Sequence, residues 1–185
     1  MKQLSIMVDL DRCIGCRTCI VACRNHKGLV DHAHAAPGKM PHYLRVESRL
    51  EGTYPNLKED FWVVMCQQCK KPACVKACPS GAISKDSQTG IVLIDKQKCT
   101  GAKKCLEKCP YGVVQFGGLG KYAHKCDLCH DRVIHGLEPV CVETCLADAL
   151  SFGEREILLM QAEAANKKVV KKLSAQSMLY VKTAN

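Results

Sequence analysis

Fifteen cysteines stand among the 185 residues of this chain, and none of them is isolated. They fall into four blocks: Cys13, Cys16, Cys19 and Cys23; Cys66, Cys69, Cys74 and Cys78; Cys99, Cys105 and Cys109; Cys126, Cys129, Cys141 and Cys145. Thiolates are soft ligands that select zinc, copper(I) or iron–sulfur clusters. Blocks this dense point to metal rather than disulfides, and an odd total fits a disulfide framework badly. The first block has the spacing C-x2-C-x2-C-x3-C. Three cysteines so close together curl one loop around a single iron–sulfur cubane, while the fourth, a helical turn later, faces a different one. One such run therefore calls for a second cluster elsewhere. A tetrahedral zinc site on Cys66, Cys69, Cys74 and Cys78 is the competing reading. It suits the first block poorly, because three closely spaced thiolates fit the corners of a cubane better than one tetrahedron.

The other blocks vary this theme. The second is spaced x2, x4, x3 and closes on Cys78-Pro79; the fourth is spaced x2, x11, x3. The long gap in the fourth reads as a loop insertion, which costs little entropy. In the third block, Cys99, Cys105 and Cys109 align with the first, Gly101 matches Gly15, and Ala102 stands where Cys16 stands. One ligand is missing. Asp9, Cys13 and Gly15 recur at the same spacing as Asp95, Cys99 and Gly101, each set after a β-rich run, residues 4–8 and 91–94. Residues 73–78 likewise recur as 140–145. A unit of strand, cluster loop, short helix and return strand thus appears in four versions.

The elements that must position these loops follow from the same repetition. The expected fold is α+β: two pseudo-symmetric modules like bacterial ferredoxins, an inserted segment and a C-terminal helical tail. Residues 1–24 with 111–153 form one module and 61–110 the other; 25–60 is the insertion and 154–185 the tail. Within the insertion, residues 43–50 alternate as a half-exposed strand. Residues 61–65 read as a buried strand with Trp62 as core, and 86–90 as a hairpin turn. Residues 154–165 carry a helical pattern, and the lysine-rich stretch 167–172 reads as its basic continuation. The nine aromatics (one Trp, five Tyr, three Phe) leave little for an apolar centre, so bound metal is expected to carry much of the stability.

Nothing else in the sequence offers a catalytic constellation. It has no GxGxxG, no Walker loop and no paired-acid motif. His26, His32, His34, His42, His124, His130 and His135 are scattered and read as solvated or capping residues. Lysine and arginine exceed aspartate and glutamate by 27 to 18, a formal +9. Four clusters of about −2 each would bring the loaded protein near neutrality, so no nucleic-acid partner is expected. A mean hydropathy of −0.09 and no apolar run near 18 residues exclude a membrane span. Residues 1–9 lack a charged-then-apolar export pattern, so a cytoplasmic location is expected.

The order of the blocks, the run from Cys66 to Cys78-Pro79, and the stretch 125–132 followed by 139–145 resemble the four-cluster electron-transfer subunit of the dimethyl sulfoxide reductase family. The resemblance covers residues 3–153. It implies a ligand set in which the last cysteine of each block crosses over. Cluster one would take Cys13, Cys16, Cys19 and Cys145, and cluster two Cys126, Cys129, Cys141 and Cys23. Cluster three would take Cys66, Cys69, Cys74 and Cys109. Cluster four would be left with Cys78, Cys99 and Cys105, with Ala102 in place of a fourth ligand. Three four-iron (4Fe-4S) clusters are therefore expected. At the fourth site the alternatives are a three-iron (3Fe-4S) cluster, an empty site, or a four-iron cluster with a noncysteine ligand. The resemblance further implies a catalytic oxidoreductase subunit with a molybdenum or tungsten bis-pterin cofactor, and a further redox partner. Similar subunits serve tungsten aldehyde- or aromatic acyl-reducing enzymes, formate dehydrogenases and hydrogenases. The chain itself would be non-catalytic.

Overall fold

Short apolar strands separated by cysteine loops build the structure, a computed structural model that describes residues 3–29, 40–117, 121–170 and 177–184. His32, His34 and residues 171–172 of the lysine-rich stretch lie outside the described residues. In sequence order the elements are β1 (Leu4–Asp9), α1 (Thr18–His26), β2 (Leu44–Thr53), β3 (Asn56–Met65), α2 (Ala73–Ala77), β4 (Ile83–Lys85), β5 (Val92–Ile94) and α3 (Lys104–Glu107). They continue with β6 (Gln115–Phe116), β7 (Ala123–His124), α4 (His130–Val133), α5 (Val140–Glu143), β8 (Leu150–Glu154), α6 (Arg155–Ala164), β9 (Lys167–Val169) and β10 (Met178–Thr183).

The largest sheet has the order β8-β1-β10-β9. β1 runs parallel to β10, pairing Ile6 with Met178, and antiparallel to β8, pairing Ile6 with Phe152. Ile6, Val8, Met178, Leu179 and Val181 are fully buried there. β2 and β3 form a long hairpin from Leu44 opposite Met65 to Thr53 opposite Asn56. Its base joins the core through Leu44, Trp62, Val63 and Met65, while Leu50, Tyr54 and Leu57 near its tip are exposed. The domain boundary expected between residues 60 and 61 therefore falls inside one continuous strand. Two small hairpins, β4–β5 and β6–β7, complete the set among the described residues. The expected turn at 86–90 joins the first: the Asp86 carboxylate accepts hydrogen bonds from the backbone N–H groups of Gln88 and Thr89 and from the Thr89 hydroxyl.

The C-terminal segment corrects the expectation of a helical tail. A helix does form at α6, but Asn166 adopts a left-handed φ of 52° and ends it. Lys167–Val169 then runs as a strand, and β10 fills the slot between β1 and β9. A basic helix would have left β1 without a partner on that side, with its backbone donors and acceptors unpaired. The lysines instead reach carboxylates: Lys167 to Asp9 and Lys182 to Asp60, each at 2.6 Å.

Candidate metal centres

Each cysteine loop is shaped by residues in left-handed conformation. In the first block Gly15 has φ 67° and Arg17 φ 63°; in the third, Gly101 has φ 74° and Lys103 φ 57°. Gly15 has no alternative, since a Cβ there would lie 2.5 Å from the Phe61 ring. The loop leads into α1, where Cys19 and Cys23 are one turn apart on the buried face. α1 packs on α5, and α2 on α3. These two contacts bring the closing cysteines of the first and fourth blocks together, and likewise those of the second and third.

Cys13, Cys16, Cys19 and Cys145 line one cavity, closed by Val46, Val63 and Leu150. Cys78, Cys99 and Cys105 line a second, together with Ala102, Lys103 and Phe116. The other two groups are recognised by the fields their thiols feel. Burial, then repulsion by Cys129, pushes the Cys23 thiol up to about 12. Burial raises Cys126 and Cys141 well above the ordinary thiol range, with Cys23 acting on both and Cys129 on Cys141. Burial lifts Cys74 to about 11, opposed by the charge of Lys125 and reinforced by Cys66, Cys109 and Cys69. Cys69 is raised by burial and then by Cys66 and Cys109. The two cavities thus gather Cys13, Cys16, Cys19, Cys145 and Cys78, Cys99, Cys105, while Cys23, Cys126, Cys129, Cys141 act on one another, as do Cys66, Cys69, Cys74, Cys109, with Cys66 also acting on Cys126 and Cys19 on Cys141. In each of the four groups, one cysteine comes from a different block.

Such donor sets fit iron–sulfur clusters. Thiolates are the ligands these clusters take, and a bound iron cation compensates the burial that otherwise keeps these thiols protonated, displacing their protons to solvent. Backbone donors already face two of the sulfurs: Leu128 N–H lies 3.4 Å from Cys126 Sγ, and Ala149 N–H 3.3 Å from Cys145 Sγ. Among the described residues no three His, Cys, Asp or Glu side chains converge closely enough for one metal ion.

Lys27, just past α1, clasps the fourth block through Asp127 at 3.0 Å and Asp131 at 2.5 Å, and His26 reaches Asp131 at 2.9 Å. Trp62 is core as expected, 5.2 Å from the Tyr180 ring. His124 departs from the expectation of solvated histidines. It is buried beside Tyr43 and Tyr122, and burial holds its pKa below the usual range. Sequence reasoning also passed over Gln68 and Lys125, both almost wholly buried. Their flanking cysteines were the only signal available.

Cysteine loops shaped this way, on short strands and helices, define the ferredoxin-like class of iron–sulfur proteins. Residues 57–155 match the family described as 4Fe-4S dicluster domain, and residues 6–26 match the 4Fe-4S binding domain. The sequence is 35% identical over 159 residues to a component chain of the anaerobic dimethyl sulfoxide reductase of Escherichia coli K12, covering 82% of this chain and 73% of that one. It is 35% identical over 167 residues to a subunit of the sulfite dehydrogenase of Allochromatium vinosum, covering 83% and 70%. With the hydrogenase-2 operon protein HybA of Escherichia coli O157:H7 it shares 32% over 181 residues, covering 87% and 55%. The protein belongs to the 4Fe-4S dicluster family, among the iron–sulfur subunits of molybdopterin oxidoreductases. No helix among the described residues is long and apolar enough to cross a membrane.

Proposed function

We propose that this chain is the electron-transfer subunit of a larger oxidoreductase and relays single electrons to or from a catalytic subunit carrying a molybdenum or tungsten bis-pterin. The carrying observation is the crossing-over of the cysteine groups, each of the four groups including one cysteine from another block. In this reading Cys13, Cys16, Cys19 and Cys145 hold cluster one, and Cys23, Cys126, Cys129 and Cys141 cluster two. Cys66, Cys69, Cys74 and Cys109 hold cluster three. Cys78, Cys99 and Cys105 hold cluster four, as a three-iron cluster beside Ala102. When bound, the clusters supply one-electron chemistry at potentials the protein adjusts.

The chain's own work is spacing, insulation and tuning. Core side chains such as Ile6, Val63 and Leu128 exclude water around the buried cysteines, and the N–H groups of Leu128 and Ala149 favour charge on the sulfurs they face. Two pseudo-symmetric modules are supported by the matching left-handed residues of the first and third blocks. Ile14 and Leu146, 63% and 75% exposed beside the first cysteine group, offer an apolar face for the catalytic subunit.

Anaerobic purification with iron, sulfide, zinc and molybdenum or tungsten analysis tests this. A brown protein with about fifteen irons and a molybdenum- or tungsten-containing partner is expected. A colourless, sulfide-free preparation holding zinc instead overturns it in favour of a zinc-bearing interaction module. A brown protein that purifies alone from its native cells makes it a free-standing carrier.

A further inference from the structure

Lys125 is 3% exposed, on the seam where the second and fourth cysteine blocks meet. Its ammonium donates to the backbone carbonyls of Val92 and, at 3.0 Å, of Cys126. Gln68, between Cys66 and Cys69, brackets the same two residues: its amide donates to the Cys126 carbonyl at 2.8 Å, and its oxygen accepts the Val92 N–H at 2.8 Å. Met65 Sδ lies 3.9 Å from Cys126 Sγ across this seam. No carboxylate pairs with Lys125 among the described residues. A buried ammonium whose only partners are carbonyls is costly unless an anion stands nearby. The groups that flank it are cysteines assigned to clusters two and three.

We propose that Lys125 is a positioning and tuning residue: a fixed positive charge, held by Val92, Cys126 and Gln68 between clusters two and three, that raises the reduction potential of both. The inference rests on the cluster assignment above. A four-thiolate cluster goes from about −2 to about −3 on taking one electron. A cation beside it therefore favours the reduced form, and burial leaves that attraction little screened. Placed at the module junction, the charge makes the crossing between the halves a point of electron accumulation rather than an uphill step. Val92 and Gln68 matter because they fix the ammonium between the two clusters rather than beside one.

The test is a redox titration of the iron-loaded protein by low-temperature EPR, comparing wild type with Lys125→Met, Lys125→Gln and Lys125→Arg. Gln keeps a donor for the carbonyls, and Arg keeps the charge. Iron and sulfide are measured first on wild type, so that an unloaded protein sinks the cluster assignment and not this proposal alone. In the two neutral variants, two midpoint potentials are expected to fall by a factor of ten or more in the reduction constant, about 59 mV for a one-electron couple. The remaining potentials should hold, and Lys125→Arg should stay near wild type. Iron loss from both neutral variants but not from Lys125→Arg also supports a requirement for charge. Unmoved potentials, an equal shift of all of them, or iron loss from all three variants overturns the proposal.

Discussion

Replacing Ala102 with cysteine should convert the fourth site from three irons to four. The loop is already shaped for it: Gly101 and Lys103 hold φ values of 74° and 57°, against 67° and 63° for Gly15 and Arg17 around Cys16. Such differences lie well inside the scatter of a single backbone conformation. Ala102 is exposed and lines the cavity of Cys78, Cys99 and Cys105, so a thiol there arrives without backbone movement. Iron should rise by about one per protein molecule, from about fifteen to about sixteen, with sulfide unchanged. In EPR of the oxidised protein, the three-iron signal of wild type should disappear in Ala102→Cys. A wild type holding about twelve irons, or one already holding about sixteen, would refute the three-iron reading. An unchanged iron count in the variant would refute the claim that the loop is preshaped.

Other perturbations probe the scaffold. Leu179→Ala, at a fully buried position of β10, should cost about 2–5 kcal/mol in anaerobic denaturant unfolding. Gly15→Ala must displace the Phe61 ring in a backbone region that disfavours side chains, so metal analysis should find about four irons fewer. Lys182→Met strips the partner from Asp60, whose side chain is 7% exposed, and should cost about 1–3 kcal/mol, discounted because the lysine itself reaches solvent. The hydrogen bond to Asp60 raises the Lys182 pKa above its ordinary 10.5. That contribution is therefore complete below pH 10.5 and fades as pH rises through the raised value. The thermal gap between wild type and Lys182→Met should be constant at neutral pH and close as pH rises through the raised lysine value.

The cysteine spacing made the loops legible, and resemblance, not spacing, supplied the crossed-over ligand set proposed for them. Strands 4–9 and 92–94 and the turn at Asp86 were readable because their pattern and chemistry are local. β10 was not. Its run Met178–Val181 is short and uniformly apolar, which fits strand or helix alike, and its partner β1 is remote in sequence. Lys125 and His124 were invisible for a related reason. Both are polar residues whose burial depends on distant partners, Val92 for one and Tyr43 for the other.

Among the described strands, β10, the last in sequence, occupies the middle of the main sheet beside β1, the first. During synthesis, β1 therefore waits for residues 178–183 to leave the ribosome before its second flank is paired. All fifteen cysteines emerge before that closure. Metal delivery can thus act on an open polypeptide, and the late strand works as a latch that shuts over finished wiring.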